Sequence, residues 1–386
     1  MTQTTAYPPN LALPPAARPG DPLTAVDTPA LVLDLDAFER NLDRLQAAAG
    51  AAGVALRPHA KAHKCPAIAL AQLRRGAVGI CCQKVSEALP FLAAGIADIH
   101  VSNEVVGAAK ADLLARMARQ GRFSVCVDHP AQVAALAEAT ARHGSALAVF
   151  VEVDIGQGRC GVPDAPAVLR LLDALAAHPQ LRFGGLQAYQ GGVQHVRRQA
   201  DRRDAAQRAA ARAGEVVAAL AQAGVACPTV TGGGTGSVEF DLASGVYTEL
   251  QPGSYVFMDG DYGRNDASSA WRFEHSLFLA CTVMSVGDGT RVIVDAGLKS
   301  LAVDSGLPTV WHAGAESPQL VYAAANDEHG IVRCRDAAAP RPELGAQLLL
   351  VPGHCDPTLN LHDDIVALRG GIVEAIWPVA ARGLSR

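Results

Sequence analysis

No run of about 18 uncharged apolar residues occurs in this 386-residue chain, because Arg, Glu, Gln or His interrupts its Ala-rich stretches at helical intervals; a membrane span is not expected. The opening MTQTTAYPPNLALPPAARPGDPLTAVDTP has neither the charged start nor the continuous apolar stretch of a secretory signal, and reads as an arm. A basic excess is also missing: 33 Lys and Arg face 38 Asp and Glu, net charge -5, so nucleic acid is not expected as a partner. The nine cysteines are odd in number and irregularly spaced, with Cys81 beside Cys82, which argues against a secreted disulfide framework. A reducing cytoplasm is the expected location, with most thiols acting as small buried hydrophobes.

What is present is apolar substance, 49% hydrophobic residues in a length that suits two domains. Between about residues 30 and 255, short β-branched runs alternate with longer Ala/Leu/Arg stretches of helical period. The strand candidates are ALVLDLD, GVALRPHA, VGICCQK, DIHVSN, FSVCVD, ALAVFVEVD, FGGLQAYQ and TVTGGGTGS. About eight such alternations, with polar residues at several strand ends, point to a (β/α)8 barrel rather than an open sheet, since a barrel gathers all its strand ends on one face. Beyond about residue 256 the pattern becomes strands without long helices. The expected division is an arm over 1–28, a barrel over 29–255 and an all-β domain over 256–386.

Three motifs carry candidate chemistry. RPHAKAHK, residues 57–64, sets Lys61 and Lys64 at a strand end, where partial desolvation lowers an amine's pKa and favours imine formation, although five basic residues in eight, histidines included, also suit a solvated cluster. TGGGTGS, residues 231–237, has three consecutive glycines, Gly232, Gly233 and Gly234, that leave backbone N–H groups unobstructed and suit a phosphate dianion, or simply a tight turn. Together they fit pyridoxal phosphate better than either does alone. In PGHCDP, His354 and Asp356 project to one side of an extended segment and would share a divalent cation, with Cys355 turned away. Their nitrogen and oxygen donors suit Mg2+ or Mn2+ most, with Co2+ and Zn2+ as further candidates. Arg159, Tyr189 and Gln190 read as pocket residues or rim, and Asp327, Glu328 and His329 as a polar turn or second ligand cluster.

With EVDIGQGRCGV and ELQPGSYVFMD, these motifs resemble, in order, the D-threonine aldolase and D-serine dehydratase family of fold type III pyridoxal phosphate enzymes. CCQKVSEA, QAYQGG, VDAGLK, VDSGLP, DEHG and WPVAARG look most similar to its 3-hydroxy-D-aspartate aldolase branch. The resemblance implies an alanine-racemase-like barrel followed by a β domain, a homodimer, and a divalent metal. It makes Lys61 the cofactor lysine and Arg159 the partner of the pyridine nitrogen. Gly233, Gly234, Thr235, Gly253 and Tyr255 then hold the phosphate, Tyr189 lines the pocket, and His354 and Asp356 bind metal. The His-x-Asp spacing favours the aldolases over the dehydratases, which carry His-x-Cys. The implied reaction is cleavage of 3-hydroxy-D-aspartate to glycine and glyoxylate, with His63 or a metal-bound water as base. D-threonine cleavage, dehydration on the same scaffold, and a non-catalytic cofactor carrier are the alternatives. A second substrate carboxylate would need cations or donors, for which His63, Lys64, Gln83, Gln190 and His195 are candidates.

Overall fold

A computed structural model describes residues 14–287, 289–337 and 340–386. Its first strand, β1 (Ala30–Asp34), is apolar and buried over its first four residues, as a strand covered on two faces must be. Asp34 ends it and caps α1 (Leu35–Ala52), accepting hydrogen bonds from the amides of Asp36 at 2.9 Å and Ala37 at 3.2 Å. Leu35, Phe38, Leu42, Leu45 and Ala49 recur at helical spacing and form the buried stripe of α1. Gly53, at φ 68°, ends the helix in the left-handed conformation that glycine adopts without a Cβ penalty.

Eight parallel strands follow: β2 (Ala55–Leu56), β3 (Ile80–Cys82), β4 (Asp98–Glu104), β5 (Arg122–Val127), β6 (Leu147–Glu152), β7 (Leu181–Ala188), β8 (Val230–Gly232) and β9 (Glu249–Leu250). They are ordered β2-β9-β8-β7-β6-β5-β4-β3, and a parallel bridge from His59 to Cys81 joins the two ends, closing the barrel. Helices link most of them, among them Pro66–Arg74, Ala108–Met117, Pro130–His143, Ala165–Ala176 and Gln199–Gln222. The barrel interior is polar in its middle layer. His100 on β4 reaches Ser124 at 2.8 Å and Gln187 on β7 at 3.4 Å, and Gln187 bonds Gln251, which bonds Thr231.

The remaining strands are β10 (Leu277–Val286), β11 (Arg291–Val294), β12 (Thr309–His312), β13 (Ala315–Glu316), β14 (Leu320–Ala325), β15 (Gly330–Cys334), β16 (Gln347–Val351), β17 (Asp364–Arg369) and β18 (Ile372–Pro378). This largely antiparallel sheet takes in β1, which lies between β10, antiparallel to it, and β17, parallel to it. The expected boundary at residue 29 is thereby corrected. ALVLDLD is no barrel strand; the eighth is Glu249–Leu250, too short to show a period. A buried apolar run states that it is a strand, not which sheet receives it. Of the expected arm, residues 1–13 lie outside the described residues, while Gly20 donates to Val373 and Pro22 bridges Ile372, so its later part packs on β18. No helix among the described residues is long and apolar enough to cross a membrane.

Candidate functional site

Lys61 sits on a single turn, Ala60–Ala62, directly after the β2 segment. His59 caps that turn, its Nδ1 accepting the Lys61 amide at 3.4 Å, so its ring proton falls to Nε2, which faces Ser102 Oγ at 2.9 Å and Gln83 Oε1 at 3.2 Å. Burial, and then the charge of Lys61, push the His59 pKa well below its ordinary value. The imidazole is therefore neutral beside the amine. Among the described residues, the Lys61 ammonium has no hydrogen-bond or ion-pair partner. Gly253 lies against this same turn: a Cβ there would meet Ala62 Cβ and the His59 carbonyl oxygen, each at 3.1 Å. Two residues on, the Tyr255 amide donates to Thr235 Oγ1 at 3.1 Å. Lysine turn, Gly253–Tyr255 segment and glycine turn thus form one connected surface.

The glycine turn admits no side chains. A Cβ at Gly233 would lie 2.5 Å from Asp241 Oδ2, one at Gly234 2.5 Å from Gln194 Oε1, and one at Gly236 2.2 Å from the Gln194 carbonyl oxygen. A lysine without a partner among the described residues, connected through Gly253–Tyr255 to a closely backed glycine turn, fits a ligand with a carbonyl at one end and a phosphate at the other. Tyr189 and Arg159 stand together, the guanidinium 5.5 Å from the ring centroid and 3.6 Å from Glu152 Oε1. Glu152, 4% exposed, has its pKa pushed up by burial and by Glu104. One Glu104 oxygen is buried without a partner. Glu104, Asp128 and Cys160 bring one ligand atom each within 4.8 Å of one another, a candidate metal-binding cluster that the sequence did not disclose. Burial and Glu104 push the Cys160 thiol up to about 11, so a cation bound there would have to displace its proton.

At the other candidate metal pair, His354 Nδ1 contacts Asp304 Oδ2 at 2.7 Å, leaving Nε2 free. Burial opposes the imidazolium, yet Asp304, Asp356 and Asp259 hold the His354 pKa above its ordinary value. A carboxylate on one ring nitrogen is the usual way a ligating histidine is oriented, and Asp304, from VDSGLP, is a functional candidate that sequence reading missed. Asp259, fully buried, accepts the Cys355 amide at 3.0 Å and fixes the start of the short helix Cys355–Leu359 that carries Asp356. The donor chemistry at His354 and Asp356 fits a divalent cation with open positions.

Several sequence candidates lie elsewhere. His63 is fully buried, its Nδ1 accepting the Cys65 amide at 3.1 Å and its ring 6.1 Å from Phe91, and burial pushes its pKa down to about 3. No solvent path is left for a base there. Lys64 pairs with Glu87 at 3.2 Å and bonds Asn360 and Ser385, so it is a structural cation rather than a substrate donor. Gln83 is held by His59, and Gln190 Oε1 accepts the Gly192 amide. Asp327, Glu328 and His329 lie on an exposed turn, with Glu328 paired to Lys299 at 2.5 Å. His195 differs from all of these: partly exposed, it sets Nδ1 2.6 Å from Asp261 Oδ2 and its ring 5.0 Å from Tyr262. Burial favours a neutral Asp261, but Arg197, His195 and Arg264 keep its pKa low. Tyr262, half-buried, lies near Tyr189, Asp259 and Asp356 and so between His195 and the candidate metal pair. A cavity of about 830 Å3 reaches Thr235 and Gly236 of the glycine turn and Tyr262, and is otherwise walled by residues such as Arg40, Trp271, His275 and Trp311; Lys61 and His354 do not line it.

Residues 33–261 match the alanine racemase N-terminal domain, and residues 276–368 match a putative serine dehydratase domain. The chain is 56% identical to a D-threonine aldolase of an Arthrobacter species, over 97% of this chain and 98% of that protein. It is 46% identical to a 3-hydroxy-D-aspartate aldolase of Paracoccus denitrificans, over 95% of each. A crystal structure of D-threonine aldolase from Filomicrobium marinum superposes with a TM-score of 0.93 at 48% identity, covering 97% of this chain and 100% of the other.

Proposed function

We propose, since this chain belongs to the fold type III pyridoxal phosphate family of D-threonine aldolases and D-serine dehydratases, that it cleaves the Cα–Cβ bond of D-3-hydroxy amino acids and accepts D-threonine at least as well as 3-hydroxy-D-aspartate. The observation that carries the cofactor reading is Lys61, without a partner among the described residues, on a turn that touches Gly253, whose segment is bonded to the glycine turn through the Tyr255 amide and Thr235. Lys61 would hold the cofactor's carbonyl carbon, Gly233, Gly234, Thr235 and Tyr255 its phosphate, and Arg159 its ring nitrogen. His354 and Asp356 would hold the cation. When bound, the cofactor supplies an electron sink for the cleaved bond and the cation supplies Lewis acidity at the β-hydroxyl.

The chain's own residues do the rest. His195, with Nδ1 held by ionised Asp261, has Nε2 left to take the β-hydroxyl proton, the base-and-orienter arrangement of general-base catalysis. His59 stays neutral and adds no second cation next to Lys61. Arg159, a permanent cation, would disfavour a proton on the cofactor's ring nitrogen, which leaves more of the barrier to activation of the hydroxyl.

The substrate preference rests on charge. A second substrate carboxylate in a partly dry site needs a cation. Lys64 is committed to Glu87, His63 is buried and neutral, and His195 is turned to Asp261. The methyl of D-threonine makes no such demand, and the higher identity to the Arthrobacter enzyme supports the same choice. kcat/KM for D-threonine and for D-3-hydroxyaspartate, measured with cofactor and Mn2+, tests it. A ratio of one or more in favour of D-threonine is expected. A tenfold preference for 3-hydroxyaspartate would overturn the substrate choice and restore the branch that the sequence motifs resemble.

A further inference from the structure

Directly behind the glycine turn lies a carboxyl group that the reaction does not use. Asp241, on the short helix Val238–Leu242, is 4% exposed. Its Oδ2 accepts the Ser237 hydroxyl at 2.5 Å, and Ser237 in turn accepts Gln194 Nε2 at 2.8 Å. Gln194 Oε1 takes the Gly236 amide at 2.9 Å, so one chain of bonds runs from the carboxyl into the turn. The Gly234 amide is also directed at Asp241, and the Cβ position of Gly233 is 2.5 Å from Oδ2. This carboxyl is built into the turn, within a few ångströms of any phosphate there.

No described cation balances it. The groups facing it are Ala206 and Ala209 of the helix Gln199–Gln222, Gln190 and Gln194 before that helix, Leu250 of β9, and Tyr247. Of these only Tyr247 titrates; burial, with Asp241, pushes its phenol well up, and its hydroxyl donates to the Ala188 carbonyl at 3.2 Å. On Asp241's own helix, Glu239 is turned to Gln199 at 3.0 Å. A cavity of about 10 Å3 beside the carboxyl has room for about one water.

We propose that Asp241 is a positioning residue of the phosphate turn and that it carries a proton whenever the turn holds a phosphate dianion. The proposal rests on the cofactor reading above. Two adjacent anions without a cation cannot both stay ionised, and the buried carboxyl is the one that can neutralise. Burial already pushes its pKa up to about 7, and a bound dianion pushes it further. The sign follows: the phosphate's contribution to affinity is fully present below pH 7 and is lost above it, because binding must then take up a proton. The loss is about fivefold from pH 7 to 8 and about tenfold from pH 8 to 9.

The test titrates the cofactor-free full chain with pyridoxal phosphate and with pyridoxal at pH 7, 8 and 9, following the absorbance of the lysine-bound chromophore. The ratio of the two Kd values isolates the phosphate, which is already a dianion in this range. The ratio is expected to collapse with pH in the wild type and to stay flat in Asp241→Asn, which cannot ionise. The same slope in both proteins would overturn the proposal. Equal wild-type affinity for the two ligands at every pH would instead overturn the phosphate turn itself. Should Asp241→Asn not fold, wild-type calorimetry at pH 8 in two buffers decides: pyridoxal phosphate should take up about one proton more than pyridoxal, and no excess uptake would refute the idea.

Discussion

The two ends of the barrel carry similar charged residues and treat them in opposite ways. Around the N-terminal ends of β4, β5 and β9, Asp98 is held by Arg57 at 2.7 Å and Arg122 at 2.5 Å, and Glu249 by Arg57 at 3.0 Å and the Thr231 hydroxyl at 2.8 Å. At the C-terminal ends, Lys61 has no described partner, Glu104 keeps an orphan oxygen, and Glu152 meets Arg159 only at 3.6 Å. Paired charge at the floor is committed to structure, whereas incompletely paired charge at the mouth is available to a ligand. Lys64 shows that the distinction is local: three residues from Lys61, it belongs by its pairing to the structural class.

Breaking the mouth should therefore cost chemistry, and breaking the structural pairs should cost stability. The largest effect is expected from Lys61→Ala, which removes the visible absorbance of lysine-bound cofactor and reduces kcat by at least about 10^4, with the melting temperature of the cofactor-free protein nearly unchanged. Lys64→Ala should do the reverse, keeping the absorbance while losing about 3 kcal/mol in urea unfolding, because Glu87 is left buried and unpaired. Persistence of the absorbance in the first variant, or its loss in a folded second one, would reverse the assignment. Next in size is His354→Ala, which should lower kcat by about 10^2 to 10^3 with the absorbance intact; unfolding on chelation would make the metal structural instead.

Asp304→Asn should weaken Mn2+ binding by about 10- to 100-fold, read as the metal concentration for half-maximal activity, with kcat at saturating metal little changed. The smallest catalytic effect belongs to the floor: Glu249→Gln should destabilise the fold by about 2 to 4 kcal/mol and leave kcat/KM within about twofold. A large fall in kcat/KM there would erase the contrast between the ends.

Strand and helix alternation made the barrel and the β domain legible, and local spacing brought Lys61, the glycine turn and His354 into view. Long-range pairing was not legible in the same way. Nothing local tells β1 from a barrel strand, because its partners Leu279 and Ile365 lie more than 240 residues away. The same holds for orienting partners. Asp304 reaches His354 across 50 residues and Asp261 reaches His195 across 66, so composition alone left His195 as one donor among several. His63 was misleading because its spacing beside Lys61 resembles that of a base, while the turn directs its ring into the core.

The central claim is carbon–carbon cleavage, and the products formed from D-threonine test it most directly. Enzyme supplied with pyridoxal phosphate and Mn2+ should yield acetaldehyde and glycine in equal amounts, with neither ammonia nor 2-oxobutanoate; stoichiometric ammonia with 2-oxobutanoate would contradict the account and make the protein a dehydratase.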